Sequence, residues 1–198
     1  MKTTPPAQFS LVGGYLDLAG VPFKGEAPVT GIDAAGLAAF NALLQAVSPD
    51  APPLDAALLG TMASRMAVPG EDQEKAKESI ARRLQDIALL AQMSADPAWR
   101  LPGSDIERIG KVKTYLDSND DLIPDDVPEI GLLDDAILIE MLVRALRGEL
   151  DDYADFLRHR ARLTPKGEPD PDAPAFERRD WLALQRAQRG PRTGFRGR

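Results

Sequence analysis

The chain has 198 residues, 43% of them hydrophobic and 28% charged, with a formal net charge of -7. That balance excludes a collagen-like, coiled-coil or wholly disordered chain and suits one compact domain with appendages. With no Cys and a single His, disulfides, thiol catalysis and thiolate or multi-imidazole metal centres are excluded; a resident ion would have to be a hard, oxygen-liking one such as Mg²⁺ or Ca²⁺.

Ala and Leu, at 28 and 25 residues, dominate the apolar set, a composition that favours helices over sheets. The expected fold is all-α, a compact helical bundle with an irregular N-terminal arm and a linked basic C-terminal helix and tail. Charge divides along the chain. Residues 177–198 hold seven Arg against Glu177 and Asp180, a local balance of +5, so the rest carries -12.

The arm covers residues 1–30. Its start, Met1-Lys2-Thr3-Thr4-Pro5-Pro6, has one cation and no apolar run behind it, so no secretory leader is expected. Gly13, Gly14 and Gly20 lack the Lys-Ser/Thr of a phosphate loop, which sets nucleotide binding aside. Leu11, Tyr15, Leu18 and Phe23 among these glycines predict an irregular segment packed on the body.

The bundle is expected over residues 31–163. Helical spacing predicts helices near 33–47, 54–68 and 71–94, punctuated by Ser48-Pro49-Asp50-Ala51-Pro52-Pro53 and by Pro69-Gly70. A fourth is predicted over 105–116 with Ser104 as its N-cap. From Leu132 to Arg147 the polar residues past the first turn are Glu140, Arg144 and Arg147, one narrow stripe that marks a buried central helix. No apolar run is long enough to cross a bilayer. A shorter amphipathic helix follows over 150–163, built on Tyr153, Phe156 and Leu157. Its His159, among Arg158, Arg160 and Arg162, reads as a residue of a solvated face, and no residue is assigned a catalytic role. Four prolines make 164–176 a linker, and 178–189 is predicted as a last helix around Trp181 and Leu184.

Between the fourth helix and the central one, residues 115–136 place eight carboxylates among Leu122, Ile123, Val127, Ile130 and Leu132. Three readings of this stretch stay open. In a structural one, Asp121, Asp134 and Asp135 cap helix starts while Ile123-Pro124 and Val127-Pro128 pin a tight crossing and Gly131 supplies a turn. In a metal reading, Asp117, Asn119 and Asp121 match the start of a Ca²⁺ loop, but Leu122 and Pro128 occupy its Gly and Glu positions. An ion would then need Asp121, Asp125, Asp134 and Asp135 gathered by the turn. In a recognition reading, the carboxylates face a basic partner.

The pattern Asp121-Leu122-Ile123-Pro124-Asp125, followed by Pro128, Gly131, Leu133, Asp134, Asp135 and Ala136, resembles the YkvA family, a bacterial domain of unknown function. The resemblance spans about residues 115–145. It implies a bacterial protein; many members of that family look membrane-associated, with a longer apolar stretch after the paired aspartates. Glu140 and Arg144 interrupt that stretch here.

The tail sets Arg178, Arg179, Arg186, Arg189, Arg192, Arg196 and Arg198 beside Trp181 and Phe195, chemistry suited to RNA, an anionic lipid surface or an acidic protein face, the chain's own body included. The expected function is that of a cytoplasmic, non-enzymatic interaction protein with a protein partner. The alternatives are a divalent-metal-binding helical enzyme or sensor, and a peripheral membrane-associated protein.

Overall fold

The computed structural model describes residues 32–67, 71–118, 120–128, 130–163 and 176–189. Within them are seven helices and no strand, as the Ala- and Leu-rich composition predicts: α1 Ala34–Val47, α2 Ala56–Ala67, α3 Glu71–Ala95, α4 Gly103–Leu116, α5 Leu133–Ala145, α6 Arg147–Leu163 and α7 Arg178–Arg189. The N-terminal arm expected over 1–30 and nearly all of the expected linker lie outside the described residues.

Short polar side chains mark several boundaries. Asp33 caps α1 by accepting from the Gly36 N–H at 3.2 Å, and Asp55 accepts from the Leu58 N–H at the head of α2. The proline-rich connector between these helices is held by Asn41. Its amide donates to Leu54 O at 2.8 Å and its carbonyl accepts from Leu54 N at 2.7 Å. At α4 the expectation needs correction, because Pro102 is the N-cap, no side chain caps the helix, and Ser104 lies inside its first turn. Proline's fixed φ suits a helix entry, and Pro102 O accepts from Asp105 and Ile106 instead.

The predicted central helix is central. Every residue of α5 from Leu133 to Val143 is buried, with α1, α3, α4 and α6 packed around it. Each apolar side chain so buried contributes on the order of 2 kcal/mol, which holds this helix more firmly than its own propensity could. Glu140, one of the predicted polar stripe, is buried as well, with Oε2 3.9 Å from Nε of Arg83 on α3. Arg83 also reaches Asp86 at 3.0 Å.

At the far end of α3 an aromatic cluster joins the last helix to the body. Trp99 packs on Tyr153 and Phe156 with centroids 5.3 and 5.1 Å apart, and Phe176 stacks on Phe156 at 5.5 Å. His159, expected on a solvated face, is instead half-buried between the rings of Phe176 and Trp181, at 5.0 and 5.9 Å. Trp181 is 5% exposed. The first basic residue of the tail belongs to this junction too: Arg178 N donates to Ala98 O at 2.8 Å, and its guanidinium pairs with Glu149 and lies over Trp99. The apolar side of α7 is therefore spent on the body. Arg178 is correspondingly committed within the chain, while Arg179 and Arg186 remain exposed. The Arg189 side chain and Arg192, Arg196 and Arg198 lie outside the described residues.

Candidate functional site

The acidic segment leaves α4 at Asp117, runs to α5, and is built from consecutive tight turns. Val127 N donates to Pro124 O, Gly131 N to Val127 O and Leu133 N to Ile130 O, at 2.9, 3.0 and 3.0 Å. Ile123 and Ile130 plug into the core at 2% and 3% exposure while Pro124, Asp125, Asp126 and Pro128 stay outside. Apolar residues interleaved with acids thus sort inward and outward, as a turn with two anchors requires.

Asp134 holds this turn in place. It is fully buried, and its Oδ2 accepts from the Tyr115 hydroxyl at 2.6 Å and from the N–H groups of Leu122 and Ile123 at 3.0 and 3.1 Å. The Tyr115 oxygen also accepts from Leu122 N at 2.8 Å. Burial pushes the Asp134 carboxyl up from its ordinary value, opposed by the hydrogen bond from Tyr115 and by nearby backbone N–H donors. Burial and the adjoining Asp134 charge likewise push the Tyr115 hydroxyl up, so it stays a proton donor. The structural reading of the paired aspartates takes a new form here. Leu132 is the α5 N-cap and no side chain caps the helix; Asp134 ties down the loop that arrives 11 and 12 residues earlier.

Asp135 is different. It is 6% exposed and its carboxyl accepts no hydrogen bond among the described residues, its Oδ1 being buried without a partner as Asp134 Oδ1 also is. Burial first, then the charges of Asp134, Asp125 and Asp121, push its carboxyl up to about 7. Asp121 is raised more gently, by desolvation and by Asp125 and Asp120. The folded state therefore keeps a proton on Asp135 that the unfolded chain releases near pH 4. The stability this contributes is complete below pH 4 and is lost as pH rises towards 7. Asp135→Asn removes the dependence, so chemical unfolding of the two proteins should diverge by on the order of 2 kcal/mol between pH 5 and pH 8, the variant being the more stable at pH 8. Parallel pH profiles would refute this environment for Asp135.

Gly131 fills a position where no side chain fits, since a Cβ there would stand 2.4 Å from Asp125 O and 2.7 Å from its carbonyl carbon. This close approach folds the 125–132 turn against the first half of α3 and leaves an open groove of about 370 Å³ between them. Ile80, Ala81 and Leu84 form one wall, Val127, Pro128 and Leu132 the other, with Asp125 and Asp126 on the rim and Lys77 at one end.

The structure thus brings the motif residues together in two layers. Ile123, Gly131, Asp134 and Asp135 form the buried layer; Asp121 is half-buried, and Pro124, Asp125 and Pro128 lie outside. Among the described residues, no group of three or more His, Asp and Glu side chains is arranged to hold a metal ion. Of the four aspartates considered for that role, Asp134 has already committed Oδ2 to three donors. Tyr115 and the α3 wall are the parts of the site that sequence reasoning missed. Tyr115 stands at the end of a helical pattern with no sign of its distant partner, and Ile80 and Leu84 recur with Ile87 and Leu90 at the spacing of any buried helix face.

The chain matches no known family model, no curated protein and no solved structure. No described helix is long and apolar enough to cross a membrane.

Proposed function

We propose that this chain is a non-enzymatic, cytoplasmic interaction protein, bacterial as its YkvA-like segment implies, that binds a protein segment carrying an apolar side chain next to cations. The observation that carries this reading is the groove: an apolar trough with Asp125 and Asp126 on its rim, built from the one segment where the sequence sets acid beside core. An apolar anchor gains by leaving water there, and flanking cations gain from the carboxylates. Catalysis would ask for converging groups poised for proton transfer or ion binding, and Asp134, the best held carboxylate, is occupied in tying the loop down. Attachment to anionic lipid through α7 has less support, because Trp181 is buried against the body.

Ala81 offers a clean test, being exposed on α3 and facing the groove. A fluorescein-labelled peptide, Lys-Lys-Leu-Phe-Lys-Lys, should bind the chain and lose affinity as salt rises from about 50 to about 200 mM. Ala81→Trp, which fills the trough from the solvent side, should weaken that binding by about tenfold or more with the circular dichroism spectrum unchanged. Absence of binding, or equal binding by both proteins, would sink the reading.

A further inference from the structure

We propose that the groove between α3 and the 125–132 turn is occupied within the same molecule by the C-terminal segment 190–198, with Phe195 as the apolar anchor and Arg192, Arg196 and Arg198 against the acidic rim. This rests on the preceding reading of the groove as a site for an apolar side chain flanked by cations.

The groove's surroundings ask for positive charge. Asp125 and Asp126 stand exposed beside an apolar floor, and Asp121 adds to the negative field on Asp125's side of the turn. Among the described residues Lys77 is the one cation lining the trough, and it is drawn to Glu74 on its own helix at 3.6 Å. A guanidinium entering from outside would meet two exposed carboxylates that no described Arg or Lys reaches in an ion pair, since Asp125 and Asp126 take part in none.

Three long stretches of the chain lie outside the described residues, and charge separates them. Residues 1–31 balance Lys2 and Lys24 with Asp17 and Glu26. Residues 164–175 set Lys166 against Glu168, Asp170 and Asp172, and would be repelled. Residues 190–198 carry Arg192, Arg196 and Arg198 with no acidic side chain, and place Phe195 directly beside Arg196. That is the chemistry the groove accepts.

Reach also permits it. α7 is fastened at Ala98, just past the end of α3, and the groove lies along the first half of α3, from Lys77 to Leu84. From Ile80 to the end of α3 at Ala95 is ~22 Å at helical rise, and the chain from Arg178 to Phe195 spans ~18 Å of helix plus up to ~20 Å of extended backbone, so its length does not forbid the contact. The intact chain would then hold its own groove closed at a local tail concentration near millimolar, and an outside partner would have to displace it.

The test uses the chain ending at Arg189, which retains every described residue. A labelled peptide of residues 190–198 should bind this shortened chain, and its Phe195→Ala version and the Ala81→Trp protein should each lose that binding. The Lys-Lys-Leu-Phe-Lys-Lys probe should bind the shortened chain about tenfold more tightly than the full one, because the competing tail is gone. If that probe binds both forms equally and the tail peptide binds neither, the tail assignment fails while the groove reading stands. If neither peptide binds, both fail. Tail binding that survives Ala81→Trp places the segment elsewhere, and a mass by light scattering that rises with concentration only in the full chain assigns the groove to a neighbouring copy; either result overturns the proposal.

Discussion

Asp134→Ala should lower the free energy of unfolding by about 3 kcal/mol, whereas Asp134→Asn should cost about 1 kcal/mol. Alanine leaves the buried N–H of Ile123 without its acceptor and strips the shared partner from Leu122 N and the Tyr115 hydroxyl. Each such loss costs about 1–3 kcal/mol, partly offset because a carboxylate that burial disfavours is also removed. Asparagine keeps an oxygen on the same three donors, and its cost is that of an NH2 standing where the buried Oδ1 has no partner. For a chain of this size the alanine variant should melt roughly 10 °C lower. The contrast matters because a charge acting only on the α5 helix start would be worth about 0.3–1 kcal/mol and would be lost equally in both variants. Thermal and urea unfolding followed by circular dichroism decide it; equal losses in the two would remove Asp134 as the anchor of the turn.

The second large effect belongs to Gly131. In Gly131→Ala the new Cβ meets the carbonyl oxygen, carbonyl carbon and Cα of Asp125 at 2.4, 2.7 and 2.9 Å, all of them backbone atoms that cannot rotate aside. The 125–132 turn has to open, at a cost of about 2–4 kcal/mol. The groove wall moves with it, so affinity for the cationic peptide should fall together with stability. Gly110 is the control. It is exposed on α4, a Cβ there meets nothing within 4 Å, and Gly110→Ala should stabilise by about 0.5–1 kcal/mol. Two Gly-to-Ala changes of opposite sign separate close approach from helix propensity. A loss at Gly131 no larger than about 0.5 kcal/mol would mean that the turn does not pack as described.

The helices were legible because their causes are local. Ile80, Leu84, Ile87 and Leu90 recur at helical spacing in α3, prolines separate α1 from α2, and the narrow polar stripe past the first turn marked α5 as central. The importance of the 115–136 segment was legible too, from eight carboxylates placed among core residues. The roles of those carboxylates were not. Asp134 and Asp135 are adjacent acids in the first turn of one helix, and nothing in their spacing distinguishes a residue with three donors on Oδ2 from one that accepts none. His159 was misplaced for a similar reason, since its neighbours along α6 are arginines while its neighbours in space are Phe176 and Trp181.

From its sequence alone the chain determined an all-α fold, the order of its seven described helices, a buried central helix and an acidic turn before it, because periodic burial, proline punctuation and charge runs act over a few residues. Only the tertiary structure decided that Tyr115 and Asp134 close that turn, that Gly131 lies against the Asp125 backbone, that α3 and the turn enclose a groove, and that α7 spends Trp181 and Arg178 on the body. A carboxylate's partners and a glycine's neighbours are set by whichever distant backbone packing brings against them, and that information lies in the assembled core.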